Sequence, residues 1–269
     1  MTSTSESTQR SQPVSAAAIV THGRVDVDEA SARVRALAGD AGVAIVGEPR
    51  EADIVVALGG DGTILRTLTA LLGTDVPVIG VNFGRVGFLA SIAPDDLERD
   101  LARVFAGQYA TVRLPTLQVA LDGETHVAVN DVVVTSSILG RMVELTWSVG
   151  GEGLGTVPCD GMICATPSGS TAYNLSNGGP VLVRGLDALA VTFIAPHSLH
   201  ARPLVVPRGL AVGVRNETLD VPTAVLVDGR PVGEIHAGGD AAISLCGQHS
   251  LLATLPETTF FGRYRATFA

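Results

Sequence analysis

The run Ile54-Val-Val-Ala-Leu-Gly-Gly-Asp-Gly-Thr-Ile-Leu-Arg66 passes from an unbroken apolar segment, through a glycine-rich turn, directly into a helix-forming pattern. Its first five residues offer no polar face to water, so they read as a strand covered on both sides, the kind found in parallel sheets. The surrounding segments repeat the alternation. Ala16 to Thr21, Val43 to Val46, Asp53 to Leu58 and Val76 to Val81 read as strands. Val27 to Ala38, Ile64 to Leu72 and Asp95 to Phe105 read as helices from their apolar spacing. Strands and helices alternating at this length imply βαβ crossovers and a mainly parallel sheet.

After Tyr109 the texture changes. Leu117 to Leu121, His126 to Thr135, Met142 to Val149, Leu154 to Pro158, Ala190 to Ala195, Leu210 to Val214, Thr223 to Asp228 and Ala241 to Leu245 are short β-forming runs, with turn pairs such as Asp122-Gly123 between them. This spacing predicts an antiparallel, sandwich-like sheet. The expected fold is an α/β N-terminal domain with a mainly parallel sheet over residues 16–108, then a β-rich C-terminal domain over 109–255. A C-terminal segment, 256–269, can return to the first domain. Residues 1–15, polar and Ser/Thr-rich over their first dozen, read as a disordered tail without the apolar core of a signal peptide.

Composition narrows the chemistry. All 18 basic residues are arginine. A chain without lysine has no Gly-Lys-Ser/Thr P-loop, no protein-kinase strand lysine and no Schiff-base lysine for pyridoxal. Net charge is −9, and no basic tract exceeds two residues, which argues against a nucleic-acid or anionic-membrane partner. A phosphate ligand would need local arginines, backbone amides or a metal. The three cysteines match neither a disulfide framework nor a zinc pattern, and His197 and His200 lack a third ligand. No apolar run approaches the roughly 18 residues of a membrane span. A cytoplasmic location is the expectation.

Two segments carry candidate chemistry. In the turn after Leu58, glycines let a phosphate or sugar approach the backbone, and the following helix aims its positive end at an anion. The turn lies outside the carboxyl end of its strand, where open α/β sheets bind ligands. Asp61 there can take a proton from a hydroxyl nucleophile. Asp-Gly is also a common turn pair, and an aspartate before a helix is often an N-cap; capping accounts fully for Thr63 alone. The second segment runs from Cys159 to Pro180 and contains Thr166-Pro-Ser-Gly-Ser-Thr-Ala-Tyr-Asn-Leu-Ser176. Ser168, Ser170 and Thr171 offer donors to phosphate or ribose, and Tyr173 offers a flat face to a base, although a capped short helix with a core tyrosine has the same residues. Gly150-Gly-Glu-Gly-Leu-Gly155 has the wrong spacing for a dinucleotide fingerprint and reads as a hairpin.

Together these segments resemble the NAD kinase family. Gly59-Gly-Asp-Gly-Thr63 matches its glycine-aspartate signature. Asn82-Phe-Gly-Arg-Val-Gly-Phe-Leu89 is similar to the segment that follows, with Val86 where leucine is usual. Asn130-Asp131 matches its Asn-acidic pair, and Asp160-Gly161 with Thr166 to Tyr173 matches its long second motif, with Ser168 in place of threonine. His197 to Leu204 resembles a further segment, with His200 where serine is common, and Pro158 stands where a basic residue often occurs. The first turn is shared with diacylglycerol and sphingosine kinases; the second motif is more specific.

The resemblance implies an enzyme that moves the terminal phosphate of ATP or polyphosphate to the adenosine 2′-hydroxyl of NAD. Asp61 is then the general base, and Mg²⁺ or another divalent cation accompanies ATP. It also implies NAD bound between the two domains, and a homodimer or homotetramer. The binding residues implied are Gly59, Gly60, Gly62, Thr63, Arg66 and Asn82, then Asn130, Asp131, Arg141, Asp160, Thr171, Ala172, Tyr173, Asn174, Leu175, Ser176 and Arg230, with no protein metal ligand assigned. Two other readings use part of the same pattern. One is a lipid or sugar kinase of the same superfamily, which would not need the second motif. The other is a dinucleotide-binding regulator without catalysis.

Overall fold

A computed structural model describes residues 8–10, 13–21, 25–83 and 87–269. The rest of the expected N-terminal tail, and residues 84–86 with the Val86 position, lie outside the described residues. The chain divides into two compact units, one of Met1–Leu114 with His249–Ala269 and one of Pro115–Gln248.

The first unit holds β1 (Thr8–Arg10), β2 (Ala16–Thr21), α1 (Val25–Asp40), β3 (Ala44–Ile45), β4 (Ile54–Gly59), α2 (Asp61–Ala70), β5 (Pro77–Asn82), α3 (Leu97–Phe105) and the start of β6 (Tyr109–Leu121). β2 pairs in parallel with β3 and β4, and β4 in parallel with β5. Ile54 to Leu58 are wholly buried, as their apolar run requires of a central strand. Ile54, Val56 and Leu58 share one core with Ile79 and Val81 of β5 and Leu97, Leu101 and Val104 of α3. α2 starts at Asp61, three residues before the expected helix, because Gly60 occupies the cap position without offering a side chain. The expected tail is also partly structured: Thr8–Arg10 pairs with Tyr109–Thr111, using backbone groups that the start of β6 offers.

The second unit continues with β7 (Glu124–Ala128), β8 (Asp131–Ser136), β9 (Val143–Val149), β10 (Glu152–Cys159), β11 (Gly161–Ala165), α4 (Tyr173–Ser176), β12 (Ala188–Ile194), β13 (Leu204–Pro207), β14 (Val212–Asn216), β15 (Thr223–Val227), β16 (Arg230–Ile235) and most of β17 (Asp240–Thr254). One six-stranded sheet has the order β13-β12-β11-β8-β15-β16, antiparallel throughout. β10, β9, β14 and β17 are neighbours in a second sheet, where β6 pairs with β7 and β17. Buried residues of both sheets form one core, with Trp147 edge-on to Phe193 at 5.4 Å. The fold is thus an α/β unit with a parallel sheet and a β-rich antiparallel unit. The glycine-rich stretch after Val149 is a hairpin, with Gly150 and Gly151 both at positive φ as a tight two-residue turn needs.

The last residues of β17 pair in parallel with β5, through Leu251 and Leu252. The chain ends on α5 (Phe260–Phe268), in the first unit. Arg103 of α3 holds Glu257 just before that helix; the hydrogen bond keeps the Glu257 carboxyl down to about 2. Among the described residues no helix is long and apolar enough to cross a membrane. All three cysteines are free and buried, and burial pushes the Cys159 and Cys164 thiols up to about 12, which leaves them poor nucleophiles.

Candidate functional site

In the first unit the chemistry gathers where β4 and β5 end. Gly59 lies opposite Asn82 in the parallel register. The Gly60 carbonyl accepts from the amides of Thr63 and Ile64, so the helix is closed by backbone alone and no side chain caps it. Asp61 is therefore not its cap. Its carboxylate turns away and accepts from the amides of Phe88, at 2.9 Å, and Leu89, at 3.3 Å. Two amides on adjacent residues fix the direction of a carboxylate that is only half-buried. The approach is close enough that a Cβ on Gly87 would lie 2.2 Å from Asp61 Oδ1.

Around Asp61, Gly62 and Arg66 are exposed, whereas Thr63 is buried and its carbonyl receives the Thr67 hydroxyl. Among the described residues, no atom beyond the immediate chain neighbours and the helix's own backbone lies within 4 Å of where a Cβ would stand on Gly60 or Gly62. Packing among the described residues does not require glycine at either position.

In the second unit Asn130 and Asp131 are buried where β7 gives way to β8. The expected single strand from His126 to Thr135 breaks here, because Asp228 draws in three consecutive amides: Val129 at 2.9 Å, Asn130 at 2.7 Å and Asp131 at 3.2 Å. Asp228 sits at positive φ in the turn between β15 and β16. Burial, with the Asp228 charge second, pushes the Asp131 carboxyl up to about 7. Sequence reasoning missed Asp228 as a positioning group; its only local signal is the Asp228-Gly229 turn pair.

The loop after β11 is tied to the same place. Thr166 donates its amide to the Asn130 carbonyl and its hydroxyl to the Val129 carbonyl, and its hydroxyl accepts from the Gly169 amide. Among the described residues, Asn130 Oδ1 and Ser168 Oγ are both buried with no hydrogen-bond partner. Such atoms cost about 1–3 kcal/mol each when left unpaired, so they point to a ligand's donors and acceptors. Ser168, already offered by the sequence as a donor to phosphate or ribose, gains a second signal from this buried, unpaired oxygen.

Asn174 is placed otherwise. Its amide donates to the carbonyls of Ser170 and Pro180, and its Oδ1 accepts from Thr192, with no exposed surface. Its side chain shapes the loop and is spent within the protein. Thr171 and Leu175 are half-buried, while Ala172, Tyr173 and Ser176 are exposed on the loop's outer side. Asp160 lies at the opposite end of β11 from Thr166, roughly 20 Å along the strand. Arg230 is exposed two residues past Asp228, and Arg141 pairs with Asp220 at 2.7 Å on an exposed turn. The structure thus brings Asn130, Asp131 and the Thr166–Ser176 loop together and sets Asp160 and Arg141 apart from them.

The Asp131 environment makes stability pH-dependent. Folding favours its protonated form, so this contribution is complete below about pH 4 and is lost as pH rises through about 7. Across that window the wild type should lose up to about 1.4 kcal/mol of stability per pH unit, and Asp131→Asn should remove that slope. Urea unfolding at pH 5, 6, 7 and 8 measures both; parallel pH profiles would disprove the assignment.

The family model for the ATP-NAD kinase N-terminal domain matches residues 4–109, and that for the ATP-NAD kinase C-terminal domain matches residues 129–255. The NAD kinase of Heliobacterium modesticaldum is 40% identical over 217 residues, covering 79% of this chain and 77% of that one. The NAD kinase of Gemmatimonas aurantiaca is 37% identical over 220 residues, 79% and 76% of the two chains. The crystal structure of an NAD kinase from Archaeoglobus fulgidus in complex with ATP superimposes with a TM-score of 0.79 at 28% identity, over 93% of this chain and 99% of that one. Yeast NADH kinase complexed with NADH gives 0.84 at 20% identity, over 95% and 87%, a likeness of fold.

Proposed function

This chain belongs to the NAD kinase family, and from that membership we propose that it phosphorylates the adenosine ribose 2′-hydroxyl of NAD to give NADP, with ATP or polyphosphate as donor. The observation that carries the chemistry is the Asp61 carboxylate, aimed by the Phe88 and Leu89 amides instead of capping its own helix. In the proposed step Asp61 accepts the hydroxyl proton as the 2′-oxygen attacks the terminal phosphorus. The bond from that phosphorus to the bridging oxygen breaks, and ADP or shortened polyphosphate leaves. The first-turn amides of α2, Gly60, Gly62 and Arg66 suit phosphate or ribose oxygens. Asn130, Asp131 and Ser168 suit the polar edge of a base or ribose, and Tyr173 suits a flat ring. Asp160 and Arg230 are assigned to the rest of the dinucleotide.

Among the described residues no three His, Cys, Asp or Glu side chains gather as a metal cage. The Mg²⁺ of the proposal would arrive on the triphosphate, since this ion keeps phosphate and water oxygens and takes one or two carboxylates at most. When bound it neutralises charge on the transferred group. The assignment also includes a cytoplasmic homodimer or homotetramer.

The test is NADP formation by the purified chain from NAD and Mg²⁺, with ATP in one arm and polyphosphate in the other. NADP in either arm supports the reading and identifies the donor; a folded protein that makes none in both arms refutes it. Gly62→Ala sharpens the result. Among the described residues alanine meets no new neighbour there, and it is the better helix former by roughly 0.5–1 kcal/mol, so Tm should hold or rise. If the glycine exists for close approach of NAD, KM should increase roughly tenfold, about 1.4 kcal/mol. An unchanged KM would remove Gly62 from the site.

A further inference from the structure

One peptide unit in the first domain is gripped at both polar ends by charged side chains. The N–H of the Gly87–Phe88 peptide donates to Asp61 Oδ2 at 2.9 Å, and its carbonyl accepts from Arg263 Nη1, on α5, at 3.0 Å. A trans peptide is planar, with N–H and C=O pointing in opposite directions, so the bond to Arg263 sets the direction of the bond to Asp61. Both bonds are charge-assisted, and a guanidinium on the carbonyl polarises the amide into a stronger donor.

The rest of α5 holds the same segment. Arg263 Nη2 lies 3.4 Å from Ser91 Oγ, and the Phe88 ring packs against Phe260 and Phe268 with centroids at 6.1 and 5.8 Å. Gly87 offers no slack, since Asp61 already fills the place a Cβ would take. Rotating the peptide would turn its carbonyl oxygen toward the carboxylate and replace a hydrogen bond with repulsion.

We propose that Arg263 is a positioning residue for phosphoryl transfer, holding the Gly87–Phe88 peptide so that Asp61 presents its carboxylate to the hydroxyl proton. The inference rests on the proposed role of Asp61 as base. It adds a remote residue, near the C-terminus of the chain, whose effect reaches the reaction only through that carboxylate.

The experiment is a double-mutant cycle in the NADP assay. Arg263→Ala should lower kcat about 10- to 100-fold, as expected for a reacting group displaced by about an ångström, with KM for NAD changed less than about threefold. In an Asp61→Asn background the same substitution should cost less than about twofold, because the group it positions no longer acts. Arg263→Lys, which keeps a single donor, should fall between wild type and Arg263→Ala. Arg265→Ala, an exposed arginine on the same helix, should match wild type. Wild-type kcat in folded Arg263→Ala overturns the proposal, as does a loss that multiplies with that of Asp61→Asn. If Arg263→Ala does not fold, wild-type kcat in Arg263→Lys overturns it equally. A wild-type chain that makes no NADP defeats the proposed function and this inference with it, whereas wild-type NADP with an unaffected Arg263 series defeats this inference alone.

Discussion

Asp61→Asn lowers kcat for NADP formation by roughly 10²- to 10⁴-fold, the range a lost general base commonly costs, while NAD binding stays within a few-fold of wild type. Asparagine keeps the shape of the side chain and can still accept from the Phe88 amide, so the turn and the start of α2 are preserved. Its NH₂ group cannot take a proton, and it removes the oxygen that accepts from Leu89 at 3.3 Å, leaving that amide only its 3.4 Å bond to the oxygen retained beside Phe88. Removing a negative charge from the first turn of α2 costs a further 0.3–1 kcal/mol or so of stability, a small effect on Tm. The diagnostic is the separation of the two constants. Dissociation constants for NAD from calorimetry, beside kcat from the NADP assay, report binding and chemistry independently. Equal losses in both would make Asp61 a binding or folding residue and leave the reaction without an assigned base.

Much of the fold is legible in the sequence because the signals are local. Ile54 to Leu58 is apolar on both faces, and only a covered parallel strand accommodates that. The start of α2 was harder to read. Asp61-Gly62-Thr63 carries turn chemistry, and the cap is a glycine, so the helix pattern becomes visible only at Ile64. β16, with Pro231 and Gly233, lacks the uninterrupted apolar pattern of a strand and yet forms one at a sheet edge, where a missing amide is tolerated.

The site was legible by composition and illegible by partner. Asp61 stands out between glycines, but the amides that aim it come from 27 and 28 residues away, beyond the reach of periodicity. Asn130-Asp131 was singled out, yet the break it makes is set by Asp228, nearly a hundred residues on. Asn174 illustrates the converse. A polar residue inside a motif reads as a ligand contact, and only its burial and its bonds to Ser170, Pro180 and Thr192 reveal a structural task. Whether a side chain faces a ligand or the protein depends on packing that no short segment encodes.

That dependence makes Gly169→Ala the severest single-methyl change expected in the second unit. A Cβ at this position would lie 2.1 Å from the Asn130 carbonyl oxygen, 2.5 Å from its carbon and 2.8 Å from its Cα. All three atoms are backbone, so no side chain can swing aside, and one segment must withdraw from the other. Withdrawal stretches the bonds that Thr166 makes to Asn130 and Val129, and the one it receives from Gly169. Overpacking of this kind costs about 1–3 kcal/mol, which in a protein of this size lowers Tm by roughly 2–10 °C. The larger effect falls on binding, because Asn130 and Ser168 belong to the segments forced apart. KM for NAD should rise at least about tenfold, with kcat at saturating NAD reduced far less than in Asp61→Asn. Steady-state kinetics and a thermal melt on the same preparation decide the matter. A variant with wild-type Tm but raised KM would still place the loop at the dinucleotide, whereas wild-type KM in a protein several degrees less stable would show that the Thr166–Ser176 loop supports the fold without touching NAD.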